Sequence, residues 1–161
     1  MVKIFTILTL FASAALAFTP DHYVVVDGAV VYDEAHNYED DYIIERLPYW
    51  TPVEAEAVGS PQSPRTYCLV TLEDSRRGLT EWDNLGWALR AVKEDVPVIE
   101  YPVIGDIAET LVGHLEKAEV VAFILIDGQV ALEYYGVTTA ERLEGWVRKS
   151  DVEPLVPPSD E

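Results

Sequence analysis

The sequence predicts an α/β fold: a mixed central sheet flanked by helices, preceded by an N-terminal β-hairpin arm. Three observations carry that expectation. Between residues 120 and 149 an apolar run meets Asp127-Gly128, a second β-branched and aromatic run follows, and Gly136 leads into a capped segment. Thr80-Glu81-Trp82-Asp83 and Asp106-Ile107-Ala108-Glu109 each join a short polar residue to an acid in the next turn, as helix N-termini do. Behind these caps, apolar residues recur at helical spacing.

The elements follow in order. Residues 23–32 read YVVVDGAVVY, two β-branched runs around Asp27-Gly28, the strongest short-range signal for a type I′ hairpin. An acidic stretch comes next, and between residues 18 and 64 ten acids face one base, Arg46. Thr51-Pro52-Val53-Glu54 reads as the start of a short helix, with Thr as cap, Pro in the first turn and Glu reaching back. Residues 59–64, GSPQSP, form a linker or long loop. Residues 67–73 are a strand, followed by a helix whose stripe is Trp82, Leu85, Leu89 and Val92. A strand over 98–103 precedes a helix carrying Ile107, Leu111 and Leu115 on one face. A hairpin of 120–126 and 129–135 turns on Asp127-Gly128. Thr138-Thr139-Ala140-Glu141 then caps a last helix that buries Leu143, Trp146 and Val147, with Arg148 and Lys149 at its negative end.

The order β-α-β-α-β-β-α over residues 65–149 resembles the thioredoxin-fold superfamily. Strand, turn, strand, Gly and helix in DGQVALEYYGVTTAERLEGWV look like that family's ending. The resemblance implies a site where the family carries its Cys-x-x-Cys pair and cis-proline. Here Arg77-Gly78-Leu79-Thr80 stands in the first place and Val120 in the second, so both cysteines and the proline are replaced. Thiol–disulfide exchange needs a low-pKa thiolate at a helix N-terminus and a second thiol to resolve the mixed disulfide. Arg and Thr supply neither, so the resemblance implies a redox-inactive member.

Residues 1–17 look like a secretory signal: Lys3, an apolar core, and Ala15-Leu16-Ala17 before Phe18. The apolar run is short for a bilayer span, so no integral membrane segment is expected after cleavage, and an extracytoplasmic location follows. The organisation expected is signal 1–17, arm and linker 18–64, thioredoxin-like domain 65–149, and a mobile acidic tail 150–161. The net charge of −18 argues against nucleic acid and against anionic membrane surfaces.

Candidate site residues are few. Cys68, the sole cysteine, sits among Tyr67, Leu69 and Val70 and reads as a buried strand thiol; a reactive one is the alternative. Arg76 and Arg77 stand beside an expected helix N-terminus and would suit an anion, or else pair with Glu73, Asp74 or Glu81. Trp50, with Tyr42 and Tyr49 around Pro48 and Pro52, offers an aromatic patch for protein recognition, or packs the arm onto the domain. Asp33, Glu34, Glu39, Asp40 and Asp41 would hold a divalent cation weakly, without the spacing of an EF-hand. Asp33-Glu34-Ala35-His36 mimics a helicase box, but no phosphate-binding loop accompanies it. His114 reads as partly buried helix packing. No cofactor is expected.

The function expected is therefore a secreted, redox-inactive module that binds another protein or a ligand, or serves as a structural component. Binding would use Arg76, Arg77, Gly78, Thr80, Val120 and Trp50. The alternatives are a single-cysteine thiol enzyme using Cys68, or an acidic calcium-binding protein.

Overall fold

The computed structural model describes residues 17–33, 42–58, 67–102 and 109–157. Among them the only helical turns are short 3-10 segments, and everything else that is regular is strand. In chain order the strands are β1 (His22–Val24), β2 (Ala29–Tyr32), β3 (Ile43–Leu47), β4 (Pro52–Ala57), β5 (Tyr67–Thr71), β6 (Arg77–Glu81) and β7 (Leu85–Ala91). They continue with β8 (Val96–Ile99), β9 (Leu111–Leu115), β10 (Val120–Phe123), β11 (Tyr134–Thr138), β12 (Glu144–Arg148) and β13 (Val152–Pro154). All pairings are antiparallel, in the order β3-β2-β6-β5-β4-β1-β7-β10-β11-β12-β8-β9, with β13 also on β7.

The curled sheet encloses two main cores. The N-terminal core gathers Val24, Val31, Leu47, Val53, Cys68 and Val70; the C-terminal core gathers Leu89, Val96, Val98, Leu115, Val121, Val137 and Val147. A smaller cluster of Ile99, Tyr134 and Trp146 adjoins the latter's strands. Strand β7 joins the two halves. Its first residues pair with β1, its last with β13 along the same edge, and β10 lies along the other. Leu85 packs on the N-terminal core and Leu89 in the C-terminal one. Small residues permit this crowding: a Cβ at Gly86 would come within 2.7 Å of the Phe123 carbonyl oxygen and 2.8 Å of the Ala122 Cβ.

This architecture overturns the α/β expectation and the thioredoxin-like resemblance, because that fold requires helices flanking its sheet. Thr51-Pro52-Val53-Glu54 opens β4, not a helix. The stripe Trp82, Leu85, Leu89 and Val92 is a 3-10 turn followed by β7. Leu111 and Leu115 lie on β9, and Leu143 precedes β12, which holds Trp146 and Val147. Asp27-Gly28 does turn the chain, with Gly28 at φ 68°, but β1 and β2 do not pair with each other. That turn carries the chain between neighbouring parts of the sheet. The hairpin of β10 and β11 forms as expected in kind, yet its ladder ends at Phe123↔Val137 and the Ile124 amide on Gly136, so the turn is a long loop. The segment expected as a tail supplies β13, and Asp151 is buried against Lys93 at 2.7 Å. Glu34, Glu39, Asp40, Asp41, the 59–64 linker, the Asp106 cap and residues 1–16 of the signal lie outside the described residues.

The end strands of this order, β3 and β9, each pair on one side among the described residues. A register shift interrupts each ladder, at Val31/Tyr32 and at Val98/Ile99. Such bulges twist an edge and discourage further strand addition. No helix among the described residues is long and apolar enough to cross a membrane.

Leu89 is fully buried on the strand both halves share. Leu89→Ala is expected to lower unfolding free energy by about 2–5 kcal/mol, read as a lower urea midpoint at unchanged m-value.

Candidate functional site

The aromatic residues of the arm meet the C-terminal half at a seam. Pro48-Tyr49-Trp50-Thr51 is a tight turn between β3 and β4: the Thr51 amide donates to the Pro48 carbonyl at 3.3 Å and the Thr51 hydroxyl to the same oxygen at 2.7 Å. The Thr51 hydroxyl donates back to a carbonyl three residues earlier, which closes a turn where a helix cap would accept from an amide further on. The turn is anchored to β1, with the Trp50 amide on the Val24 carbonyl at 2.7 Å and the Val24 amide on that of Thr51 at 2.9 Å.

Trp50 adopts φ 66°, in the left-handed region. For a bulky side chain this conformation costs of the order of 1–3 kcal/mol and persists only where surrounding contacts impose it. Those contacts are explicit. The indole stacks on Tyr23 with centroids 4.6 Å apart and touches Tyr49 at 5.8 Å. The Tyr49 hydroxyl donates to the Thr139 carbonyl at 2.6 Å and accepts from the Thr138 hydroxyl at 2.7 Å. The Arg142 guanidinium lies 4.2 Å above the Tyr49 ring and meets Asp27 Oδ1 at 2.6 Å. That hydrogen bond holds the exposed Asp27 carboxyl below the usual carboxylate range. The β1–β2 turn, the Tyr49–Trp50 turn and the β11–β12 turn thus interlock.

Beside this seam opens a cleft of about 740 Å³, walled by Trp50, Val120, Ala118 and Thr139 and rimmed by Lys117 and Glu141. His114 lines it too, and it is exposed on β9, not packed on a helix. The cleft joins the aromatic and aliphatic wall of Trp50, Val120 and Ala118 to a mostly acidic rim of Glu116, Lys117, Glu119 and Glu141. That mixture suits recognition of an amphipathic segment. It holds no nucleophile–base pair among its lining residues.

The other expected site residues disperse. Only Trp50 and Val120 come together, across this cleft. Arg76 sits in the β5–β6 turn with Ser75 at φ 68°, and its guanidinium bridges Asp74 and Glu45, each at 2.6 Å. The hydrogen bond to Arg76 keeps the Asp74 carboxyl below its ordinary range. No helix N-terminus stands beside these arginines, so the anion-binding geometry expected for them is absent. Arg77 opens β6, 3.9 Å from Glu56. Gly78 is buried where a Cβ would meet Val31 and, at 2.8 Å, the Tyr32 carbonyl oxygen. Thr80 is fully buried, donating to the Val30 carbonyl at 2.8 Å. Gly78 and Thr80 therefore hold β6 against β2.

Cys68 lies on β5 in the N-terminal core with no exposed surface, its thiol directed to the Thr80 carbonyl at 3.6 Å. Burial, helped by the negative charge of Asp21, pushes the thiol up to about 12. Of the acidic run, only Asp33 is described; its amide donates to the Tyr42 carbonyl at 3.0 Å. Among the described residues no group of three or more His, Cys, Asp or Glu side chains is placed to hold a metal ion.

Sequence reasoning missed Tyr23, Asp27, Arg142 and Thr139 as parts of the seam. They are remote in sequence from Trp50, and no local pattern links them. The fold and cleft define the class: an antiparallel all-β protein with an aromatic seam between two halves. No protein-family model matches this chain, and no curated protein is significantly similar to it.

Two outcomes follow from this geometry. Because glycine has no left-handed penalty, Trp50→Gly is expected to be more stable than Trp50→Ala by about 1 kcal/mol, measured by paired urea titrations. Cys68 is expected to resist a thiol reagent until the chain unfolds. Its raised folded value also makes the stability it contributes constant below pH about 9, the unfolded thiol's range. That contribution then falls as pH rises toward 12, since the unfolded chain loses its proton first. The melting temperature of the native protein should drop more steeply above pH 9 than that of Cys68→Ala.

Proposed function

We propose that this chain is a non-catalytic, extracytoplasmic module that binds another protein through the Trp50 cleft. The observation that carries the reading is Trp50 itself: a bulky residue kept at φ 66° by a stack, a tyrosine clamp and an ion pair, at the wall of an open cleft. Backbone strain in a bulky non-glycine residue, held by its surroundings, clusters at ligand clamps and active sites. Tryptophan is also among the residues that concentrate binding energy at interfaces. The signal-like residues 1–17 support the extracytoplasmic location, and the acidic surface favours soluble partners of lower or opposite charge. The inaccessible, high-pKa Cys68 argues against thiol chemistry as the activity.

The test compares native protein and Trp50→Ala as immobilised baits in the extracytoplasmic fraction of the source cells, after both are shown to be folded. A specific protein held by the native chain and weakened at least about tenfold by the substitution is the expected result. Equal retention by both baits would refute the role of the cleft.

A further inference from the structure

The rim of the Trp50 cleft carries a charge that selects an occupant. Much of that rim is the β9–β10 turn, which is fixed from within. The Glu119 amide donates to the Glu116 carbonyl at 3.0 Å, and Glu119 Oε2 accepts the Glu116 amide at 2.8 Å. The Ala118 amide donates to the Ala91 carbonyl at 2.9 Å. The Lys117 amide donates to Glu94 Oε2 at 3.1 Å, which brings a further carboxylate to the same turn. Glu141 reaches the rim from the β11–β12 turn.

Among the lining residues three carboxylates, Glu116, Glu119 and Glu141, stand against one lysine, Lys117, with His114 beside them. None of the three carboxylates forms an ion pair with a described residue. Glu116 and Glu141 are exposed, so water solvates them until a partner covers the rim. A neutral or acidic occupant would strip that water without replacing it, at a cost in affinity. A cationic occupant pairs with the same groups as it displaces their water.

The adjoining seam shows how such a cation is held. The Arg142 guanidinium lies 4.2 Å above the Tyr49 ring and meets Asp27 Oδ1 at 2.6 Å, an aromatic face below and a carboxylate beside. The cleft offers the same two parts with a stronger ring. Tryptophan attracts cations better than tyrosine does, and Trp50 lines the wall between the acidic turns.

Granted that the cleft docks a protein, as proposed above, we infer that its occupant is a basic segment of that partner. An arginine or lysine side chain lies against the Trp50 indole and pairs with Glu116 and Glu141, while apolar neighbours rest on Ala118 and Val120. The net charge of −18 draws basic partners toward the whole molecule, so the test must separate the rim from the bulk charge.

The experiment is fluorescence anisotropy with short labelled peptides of valine and arginine, valine and glutamine, or valine and glutamate. The proteins are the native chain, Trp50→Ala, the rim pair Glu116→Gln with Glu141→Gln, and a remote pair, Glu73→Gln with Glu100→Gln. All four substituted glutamates are exposed, and the two pairs change net charge equally, so both should melt with the native chain. The arginine peptide is expected to bind the native chain at least about tenfold more tightly than the glutamine peptide, and Trp50→Ala to weaken it about tenfold. The rim pair should weaken it about fivefold, and the remote pair less than about twofold. Equal weakening by the two pairs would overturn the inference, since bulk charge would then account for binding. So would no binding of the arginine peptide at roughly 1 mM. If the glutamine peptide binds as tightly as the arginine peptide and Trp50→Ala weakens both, the cleft keeps its docking role and the basic partner is refuted. If neither peptide binding nor protein capture responds to Trp50→Ala, both readings fall.

Discussion

Strand β7 is the constraint on which the rest of the molecule depends. Over residues 85–91 it receives β1 and then β13 along one edge and β10 along the other, so it is buried beside both halves at once. Leu85 faces the N-terminal core and Leu89 the C-terminal one, while Gly86 and Ala88 let neighbouring strands approach. A larger residue at Gly86 would strike the Phe123 carbonyl and the Ala122 Cβ. The chain must return to this strand from His22, from Val120 and from Val152, and those returns set the curl of the sheet. They also set where the β3–β4 turn meets the β11–β12 turn, and hence where Trp50 sits.

The seam shows how non-local packing sustains a locally unfavourable conformation. A left-handed tryptophan is costly in isolation. It is offset by ring stacking on Tyr23, by two hydrogen bonds at the Tyr49 hydroxyl, and by the Arg142 guanidinium over the Tyr49 ring. Each partner is individually weak, since Arg142 and Asp27 are exposed and screened by solvent. Together they come from three turns that the sheet has already brought together, so little further ordering is required. The cleft is consequently a property of the assembled sheet, not of the arm or the C-terminal half alone.

The reading of the elements failed for an identifiable reason. Residues four apart share a face both in a helix of period 3.6 and in a strand of period 2. Leu85 and Leu89, Leu111 and Leu115, and Leu143 and Val147 are all spaced by four, so either structure accommodates them. Capping chemistry did not arbitrate. Thr139 accepts the Leu143 amide at 3.2 Å beside a turn closed by the Arg142 amide on the Thr139 carbonyl at 3.0 Å, so a residue type that favours helix caps here supports a turn between strands. Turns were also hidden, because the left-handed positions fall on Ser75, Asp95, Ala118 and Arg142, where glycine or asparagine would have announced them. Where Gly did announce a turn, at Asp27-Gly28, the flanking strands found other partners. The family resemblance inherited these errors, and the positions of Arg77, Thr80 and Val120 lost the meaning it lent them.

From the sequence alone came apolar runs that are strands in fact: Tyr67–Thr71 with its buried cysteine and Val120–Phe123, with only Val98–Ile99 of β8 and Tyr134–Tyr135 of β11 falling inside the strands expected there. β-Branched and aromatic residues in short runs suffice for that, since their preference for a pleated, half-buried surface is local. Trp50 was also legible as a candidate, because a tryptophan among tyrosines and prolines stands out by composition. The all-β class, the capture of Val152–Pro154 by β7, and the clamp of Tyr23, Asp27, Tyr49 and Arg142 around Trp50 belong to the tertiary structure. Strand partners are chosen by burial across long sequence separations, and no residue carries a record of the neighbour it will meet.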